Sequence, residues 1–482
     1  MAGPVIARRA VLAGLAAAPL FTAAAQTDRV PYGAIRQFLG LRYGRAERFR
    51  APRPEPRSER EIDATRYGPP APQQGRQGSE DCLFLNIFAP PDRPGDRRPV
   101  LVYFHGGAYS TGATDDPLLD GRHLAARGDV VVVTVQHRLN AFGYLYLARL
   151  DPRFPDSGNC GQLDLILALR WIRANIAGYG GDPDKVMLFG QSGGGAKIAS
   201  LMGTPAAAGL FHRAATMSGQ QVTVSGPQHA TERARAYMTA LGARSVDDLL
   251  AMPAARLVEG LAASDPILGG SLYFGPVLDM KWMVRHPFWP NANPQSRRIP
   301  MLLGNTHDET RAFYRPGHPK LAGLSWDNLA ERLGPELRID AHPEWVVAEY
   351  RRMFPGYGPT EIFFAATTAG RSWRAQVIEA EERARAGVPA FVYQLDYPSP
   401  APHASDIPLV FGTFSDPTAR PVSEAMMRAF LRFARTGDPG WPPYTLPARR
   451  TMIFGRTPHL ASDPRRAERE LFARIPYIQP GT

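Results

Sequence analysis

Cysteine is almost missing from this chain: Cys82 and Cys160 are the only two in 482 residues. So few cannot form a disulfide framework, which excludes the disulfide-stapled class of small domains. Lysine is nearly as scarce, so almost all of the 56 basic residues are Arg. Against 45 acidic residues they leave a formal net charge of +11. No basic block carries interleaved aromatics, however, so the charge is spread over the surface and no nucleic-acid partner is expected. Long apolar runs are lacking too. The run from Val11 to Phe21 is shorter than the about 20 residues needed to span a bilayer, so no stable membrane insertion is expected. Repeats and low-complexity tracts are also missing. What remains is an ordinary globular composition, 44% hydrophobic and 21% charged, which excludes wholesale disorder, collagen-like repeats and a polytopic membrane protein.

The first residues read as a targeting segment. Arg8 and Arg9 precede the short apolar run, and Ala23 and Ala25 offer a small-residue cleavage site before Gln26. This predicts an export signal over residues 1–25 and a mature chain, 26–482, that is periplasmic or extracellular. The paired arginines resemble a bacterial twin-arginine signal. An ordinary secretory signal with two incidental arginines is the alternative.

Beyond a Pro- and Arg-rich stretch at 50–80, strand-like and helix-like segments alternate. Residues 99–104, 129–136, 185–189, 299–304 and 389–395 are short, apolar and rich in β-branched side chains, as strands buried on both faces should be. Residues 162–176, 371–386 and 423–435 carry helical periodicity. Gly178 lies past the first of these helices, and Ser423 is read as the cap of the last. The alternation predicts an α/β fold with a mostly parallel sheet flanked by helices. Residues 220–298 and 311–388 are expected to be helical insertions above the sheet, within one domain spanning 26–482.

One motif carries chemistry. Gly190-Gln191-Ser192-Gly193-Gly194 fits G-x-S-x-G, a weak signal by itself. Here it stands between a strand and a helix, where a nucleophile elbow belongs. A phosphate-binding loop is excluded, because Lys197 does not directly follow Gly195 and Ile198 stands where Ser or Thr is needed. A serine hydroxyl is a poor nucleophile near neutral pH. It needs a base, and the oxyanion formed on attack needs donors. Gly106 and Gly107 follow the strand ending at Phe104 and can turn their N–H groups toward a carbonyl oxygen, with the N–H of Gly193 as a third donor. Among eleven histidines, His403 lies in a loop just after a strand and can reach over the sheet edge. Asp308 and Glu309 follow another strand, and either could orient the imidazole. Together with His307 they could suggest a metal site, but no further ligands stand at helical spacing, so no metal and no cofactor are expected. The order Ser, acid, His is that of α/β-hydrolases.

Many ordered segments resemble the type B carboxylesterase and cholinesterase family. They include FLGLRYG (38–44), SEDCLFLN (79–86), HGGAY (105–109), GNCGQLD (158–164), FGQSGGG (189–195), GNTHDE (304–309), HASDIPLVFG (403–412) and FARTGDPGWPPY (433–444). The likeness runs from about residue 36 to the end. It implies an α/β-hydrolase fold and a small-molecule ester substrate. It further implies Ser192 as nucleophile, Glu309 rather than Asp308 as the acid, His403 as base, and an oxyanion hole from Gly106, Gly107 and Gly193. Two ion pairs are implied as well, Arg48 with Glu80 and Arg138 with Asp164. A relative specialised for a bulky polyester, carbamate or amide, or a non-catalytic binding module of the same fold, are the rival readings. The chain departs from the family in several places, among them a short segment before Phe38 and Cys160 where another small or aromatic residue is usual, which leaves a Cys82–Cys160 bond as the alternative to free thiols. Gln191 replaces the usual Glu before the nucleophile, Thr310 replaces the Gly after the acid, and Cys82 has no upstream partner, so two free thiols are expected.

Overall fold

The computed structural model describes residues 29–56 and 63–477, and the export signal expected over residues 1–25 lies outside them. Side chains in the β-branched runs alternate between two apolar clusters. In the strand Arg98–Phe104, Val100, Val102 and Phe104 enter one cluster, while Leu101 and Tyr103 enter another on the opposite face. A strand buried on both sides requires helices above and below it.

In chain order the main sheet contains β1 (Arg36–Arg42), β2 (Phe84–Ala89), β3 (Arg98–Phe104), β4 (Val131–Val135) and β5 (Gly181–Gln191). It continues with β6 (Arg213–Met217), β7 (Met301–Thr306), β8 (Ala390–Leu395), β9 (Arg450–Phe454) and β10 (His459–Ser462). The spatial order is β1-β2-β4-β3-β5-β6-β7-β8-β9-β10. From β4 across to β9 every neighbouring pair is parallel. Antiparallel pairs occur only toward the edges, at β1–β2, β2–β4 and β9–β10.

The helices that frame the site and the core are α1 (Cys160–Asn175), α2 (Gly193–Leu201), α3 (Pro227–Leu241), α4 (Leu329–Leu337) and α5 (Pro343–Met353). They are followed by α6 (Pro359–Thr368), α7 (Arg374–Arg385), α8 (Asp406–Phe411) and α9 (Arg420–Thr436). Leu165, Leu169 and Ile172 of α1 cover one face of the sheet, and Met426, Phe430 and Phe433 of α9 cover the other. The stretch 220–298 holds α3 and two six-residue helices, Val246–Ala251 and Ala254–Glu259, and 311–388 holds α4 to α7. Within the latter, α7 packs on the sheet itself, with Ala375 and Ala380 in the same cluster as β3.

Two helix ends differ from expectation. The helix after β4 continues as a 3-10 turn over Ile176–Tyr179, and Gly180, with φ 78°, ends it in place of Gly178. The left-handed end needs a residue without a Cβ at that position. Ser423 is no cap, because α9 starts three residues earlier with a proline in its first turn. Its buried hydroxyl donates instead to the Leu409 carbonyl of α8 at 2.7 Å.

Both expected ion pairs are present. Arg48 grips Glu80, and its guanidinium also donates to the carbonyls of Leu249, Leu250 and Met252, tying the first excursion down. Arg138 meets Asp164 through 2.6 and 2.9 Å contacts, and both are buried. Cys82 and Cys160 are buried free thiols. Asp164→Ala would leave the Arg138 guanidinium buried without its counter-charge. We expect a stability loss of about 3–5 kcal/mol, read from the midpoint of chemical denaturation.

Candidate active site

The parallel pairing of β3 with β5 brings two turns side by side at the strand ends, because Phe104 and Gly190 are partners in the register. The turn after β5 places Ser192 at φ 55° and ψ −125°, a conformation costly for any residue with a Cβ. The Ser192 N–H donates to the Met217 carbonyl at 2.7 Å, which fixes the turn against β6. The serine is therefore lifted to the start of α2 and remains accessible to solvent.

The turn after β3 lies directly against it. A Cβ on Gly193 would fall 1.8 Å from the Ala108 carbonyl oxygen. Only glycine permits this approach. The N–H groups of Gly106, Gly107 and Gly193 donate to no acceptor among the described residues, and Gly107 and Gly193 line the cleft in front of Ser192.

The other two expected residues come from β7 and β8. The loops that follow these strands are joined by backbone hydrogen bonds, from His307 to Leu395, Asp308 to Ala401 and His403 to Glu309. This pairing brings Nδ1 of His403 into contact with Oε2 of Glu309. The other carboxylate oxygen accepts from the Thr306 N–H at 2.8 Å and the Asn305 side chain at 2.9 Å. Burial alone would raise the Glu309 carboxyl, but His403 and, more weakly, the Thr306 N–H hold it below its ordinary value. Asp308 turns away and accepts from His307 and the Ala401 N–H, so the two-way choice left by the residues alone falls on Glu309. Thr310 is buried and knits to the hydroxyls of Thr367 and Thr368 at 2.8 and 3.0 Å.

With Nδ1–H turned to Glu309, Nε2 of His403 carries a lone pair. The Gln191 side chain donates into it at 3.1 Å. Gln191 therefore occupies the acceptor that a Ser192 hydroxyl would use, and no Ser192–His403 hydrogen bond is formed among the described residues. Its substitution for Glu thus acts on the imidazole itself.

Three further groups were not recognised in the sequence. Lys197, fully buried in α2, donates to the His105 and Ala108 carbonyls at 3.2 and 3.0 Å, clamping the glycine turn from behind. Burial pushes its ammonium down to about 7. A lone cation inside the apolar stretch GGGAKIASL was the signal available. Asp406 is buried beside the pair and accepts from Tyr393 at 3.0 Å, and burial with Glu309 nearby pushes it up to about 7. Asn305 bridges Glu309 to Ser372. His105 is no rival base, since burial and Lys197 push it down to about 3. Among the described residues no three His, Cys, Asp or Glu side chains converge as a metal site. No helix among them is long and apolar enough to cross a membrane.

These groups face a cleft of about 510 Å³. Tyr109 and Tyr273 line it together with Phe313, Arg338 and Arg371 from the second excursion. The sheet order and the elbow after β5 define an α/β-hydrolase. Comparison with known proteins is more specific: the carboxylesterase family model matches residues 24–469. The chain is 33% identical to the para-nitrobenzyl esterase of Bacillus subtilis (strain 168), over 90% of this chain and 94% of that protein. The crystal structure of the Geobacillus stearothermophilus carboxylesterase EST55 at pH 6.2 superposes with a TM-score of 0.83 at 31% identity, covering 92% of this chain and 99% of that one. An esterase of Clostridium hathewayi described as hydrolysing aliphatic aromatic polyesters superposes at 0.72 and 29% identity, covering 92% and 95%. The chain belongs to the carboxylesterase family and is a carboxylic ester hydrolase.

Two outcomes follow for this cleft. Gln191→Glu sets a carboxylate against the imidazole and favours its cation, so the acidic limb of the pH–rate profile should move to higher pH. Lys197→Met removes both donors from the glycine turn, and kcat should fall about tenfold with KM little changed in steady-state ester hydrolysis.

Proposed function

We propose that the protein cleaves carboxylic esters through a Ser192–His403–Glu309 triad and an acyl-enzyme. The observation that carries this reading is the convergence, on one solvent-reaching cleft, of a serine in a strained turn and an imidazole oriented by a buried carboxylate. Once the ester displaces Gln191 from Nε2, His403 takes the Ser192 proton as Oγ attacks the carbonyl carbon. Glu309 holds the imidazole and stabilises its cation. The tetrahedral oxyanion accepts from the N–H groups of Gly106, Gly107 and Gly193. Its collapse breaks the bond to the alcohol, which leaves with the proton from His403. Water then adds to the acyl-enzyme by the same route, the acid is released and Ser192 regains its proton.

Residues 1–25 support export to the periplasm or beyond as part of this proposal. The Clostridium hathewayi neighbour makes polyesters a second substrate class worth assaying.

An organophosphate should label Ser192 once per chain and abolish turnover. Ser192→Ala should lower kcat/KM at least about a thousandfold. Labelling elsewhere, or retained activity in the alanine variant, would refute the mechanism.

A further inference from the structure

The cleft that holds Ser192 carries two guanidinium groups and no carboxylate in its wall: Arg338 and Arg371 line it, and no Asp or Glu does. Arg338 follows the last residue of α4 with φ 54° and forms no hydrogen bond or ion pair among the described residues. Arg371 sits on a π-helical turn, Ala369–Trp373, between α6 and α7. Such turns are rare and concentrate at functional sites. This one delivers Arg371 and Ser372 together to the cleft, and Ser372 accepts from the Asn305 that supports Glu309.

The second guanidinium lies close to the chemistry. Its carbon is 4.9 Å from the centre of the Phe313 ring. That ring centre is in turn 5.0 Å from the centre of the His403 ring. One aromatic ring therefore separates Arg371 from the imidazole.

The surrounding charges do not neutralise the pair. Glu336 is the nearby carboxylate, but Tyr314 donates to one of its oxygens and Lys320 meets the other at 3.2 Å. It comes no closer than 4.0 Å to Arg371. Three cations thus share one carboxylate at this end of the cleft. Burial, and after it the neighbouring Arg371 cation, lowers the affinity of Arg338 for its proton. A helix C-terminus accounts for one cation there, but Arg371 belongs to another element. Planar guanidinium forks match a carboxylate in geometry as well as charge, and an excess of one sign in a walled cleft concentrates the opposite sign.

We propose that Arg338 and Arg371 form an anion subsite, and that the preferred substrates are carboxylic esters bearing a second, free carboxylate. The carboxylate belongs either to the acyl part, as in a half-ester of a dicarboxylic acid, or to the alcohol part, as in an ester of a hydroxy acid. The proposal rests on Ser192 being the nucleophile of the same cleft, since it assigns the far end of the substrate that Ser192 attacks.

The test compares ester pairs that differ by one carboxylate, using the full chain. Mono-4-nitrophenyl adipate against 4-nitrophenyl hexanoate probes the acyl side, and 4-carboxyphenyl hexanoate against phenyl hexanoate probes the alcohol side. In the wild type, the charged-to-neutral ratio of kcat/KM should exceed one for one pair and decline with added salt. In Arg338→Gln/Arg371→Gln that ratio should fall about ten- to hundredfold, through KM. Arg371→Lys, which keeps the charge but loses the fork, should fall between the two. A ratio that is the same in wild type and double variant overturns the subsite. So does a wild type that prefers both neutral esters. Should the double variant not fold, the wild type alone decides: adipate must inhibit competitively far better than adipamide, and equal inhibition overturns the proposal. Absence of turnover on all four esters together with no labelling of Ser192 would refute the hydrolytic mechanism instead. Turnover of the neutral esters with an unchanged ratio refutes the subsite alone.

Discussion

Two turns touch in this molecule where two side chains could not. The loop leaving β3 and the elbow leaving β5 come so close that a methyl on Gly193 or Gly194 would penetrate the Ala108 or Phe104 carbonyl. That approach follows from the pairing of neighbouring parallel strands, and it puts free N–H groups in front of a strained serine. Lys197 reinforces the contact from beneath, because the carbonyls it holds belong to the same loop. The rest of the site is arranged around this junction.

Electrostatics divide the cleft into two ends. Near β7 and β8 a buried carboxylate meets an imidazole, with its second oxygen saturated by Asn305 and Thr306. Beyond the Phe313 ring, which lies between Arg371 and the imidazole, positive charge predominates. An uncompensated group beside a reactive centre costs stability, so its persistence there is a better pointer to ligand chemistry than a satisfied ion pair such as Arg465–Glu468.

Much of the scaffold was legible from residue patterns. Doubly buried strands announce themselves as short β-branched runs, and β3, β4, β5, β7 and β8 all lie where such runs occur. The remaining strands were harder to read. β9 and β10 are short, and β6 is a five-residue strand whose apolar character comes from alanine. Helix ends depended on details that periodicity does not encode, as Gly180 and Ser423 illustrate. At the site, the elbow and glycine turn follow from local sequence, whereas the choice of Glu309 over Asp308 depends on which side chain the β7–β8 loop pairing turns inward. Gln191 could be marked as unusual, but its contact with His403 is a long-range fact. Arg338 and Arg371 carried no local signal in a chain so rich in arginine.

The carboxylate and the imidazole hang from adjacent strands whose residues pair one to one from Ala390–Met301 to Leu395–Thr306. A slip of a single position would break the backbone pairing of the two following loops that brings Glu309 and His403 together. The contact between them cannot form before β8 docks beside β7, and β8 starts at Ala390, after about four-fifths of the chain has been synthesised. A chain that stopped before that strand would hold Glu309 but lack His403, so the contact between carboxylate and imidazole is among the last features of the cleft to come within reach.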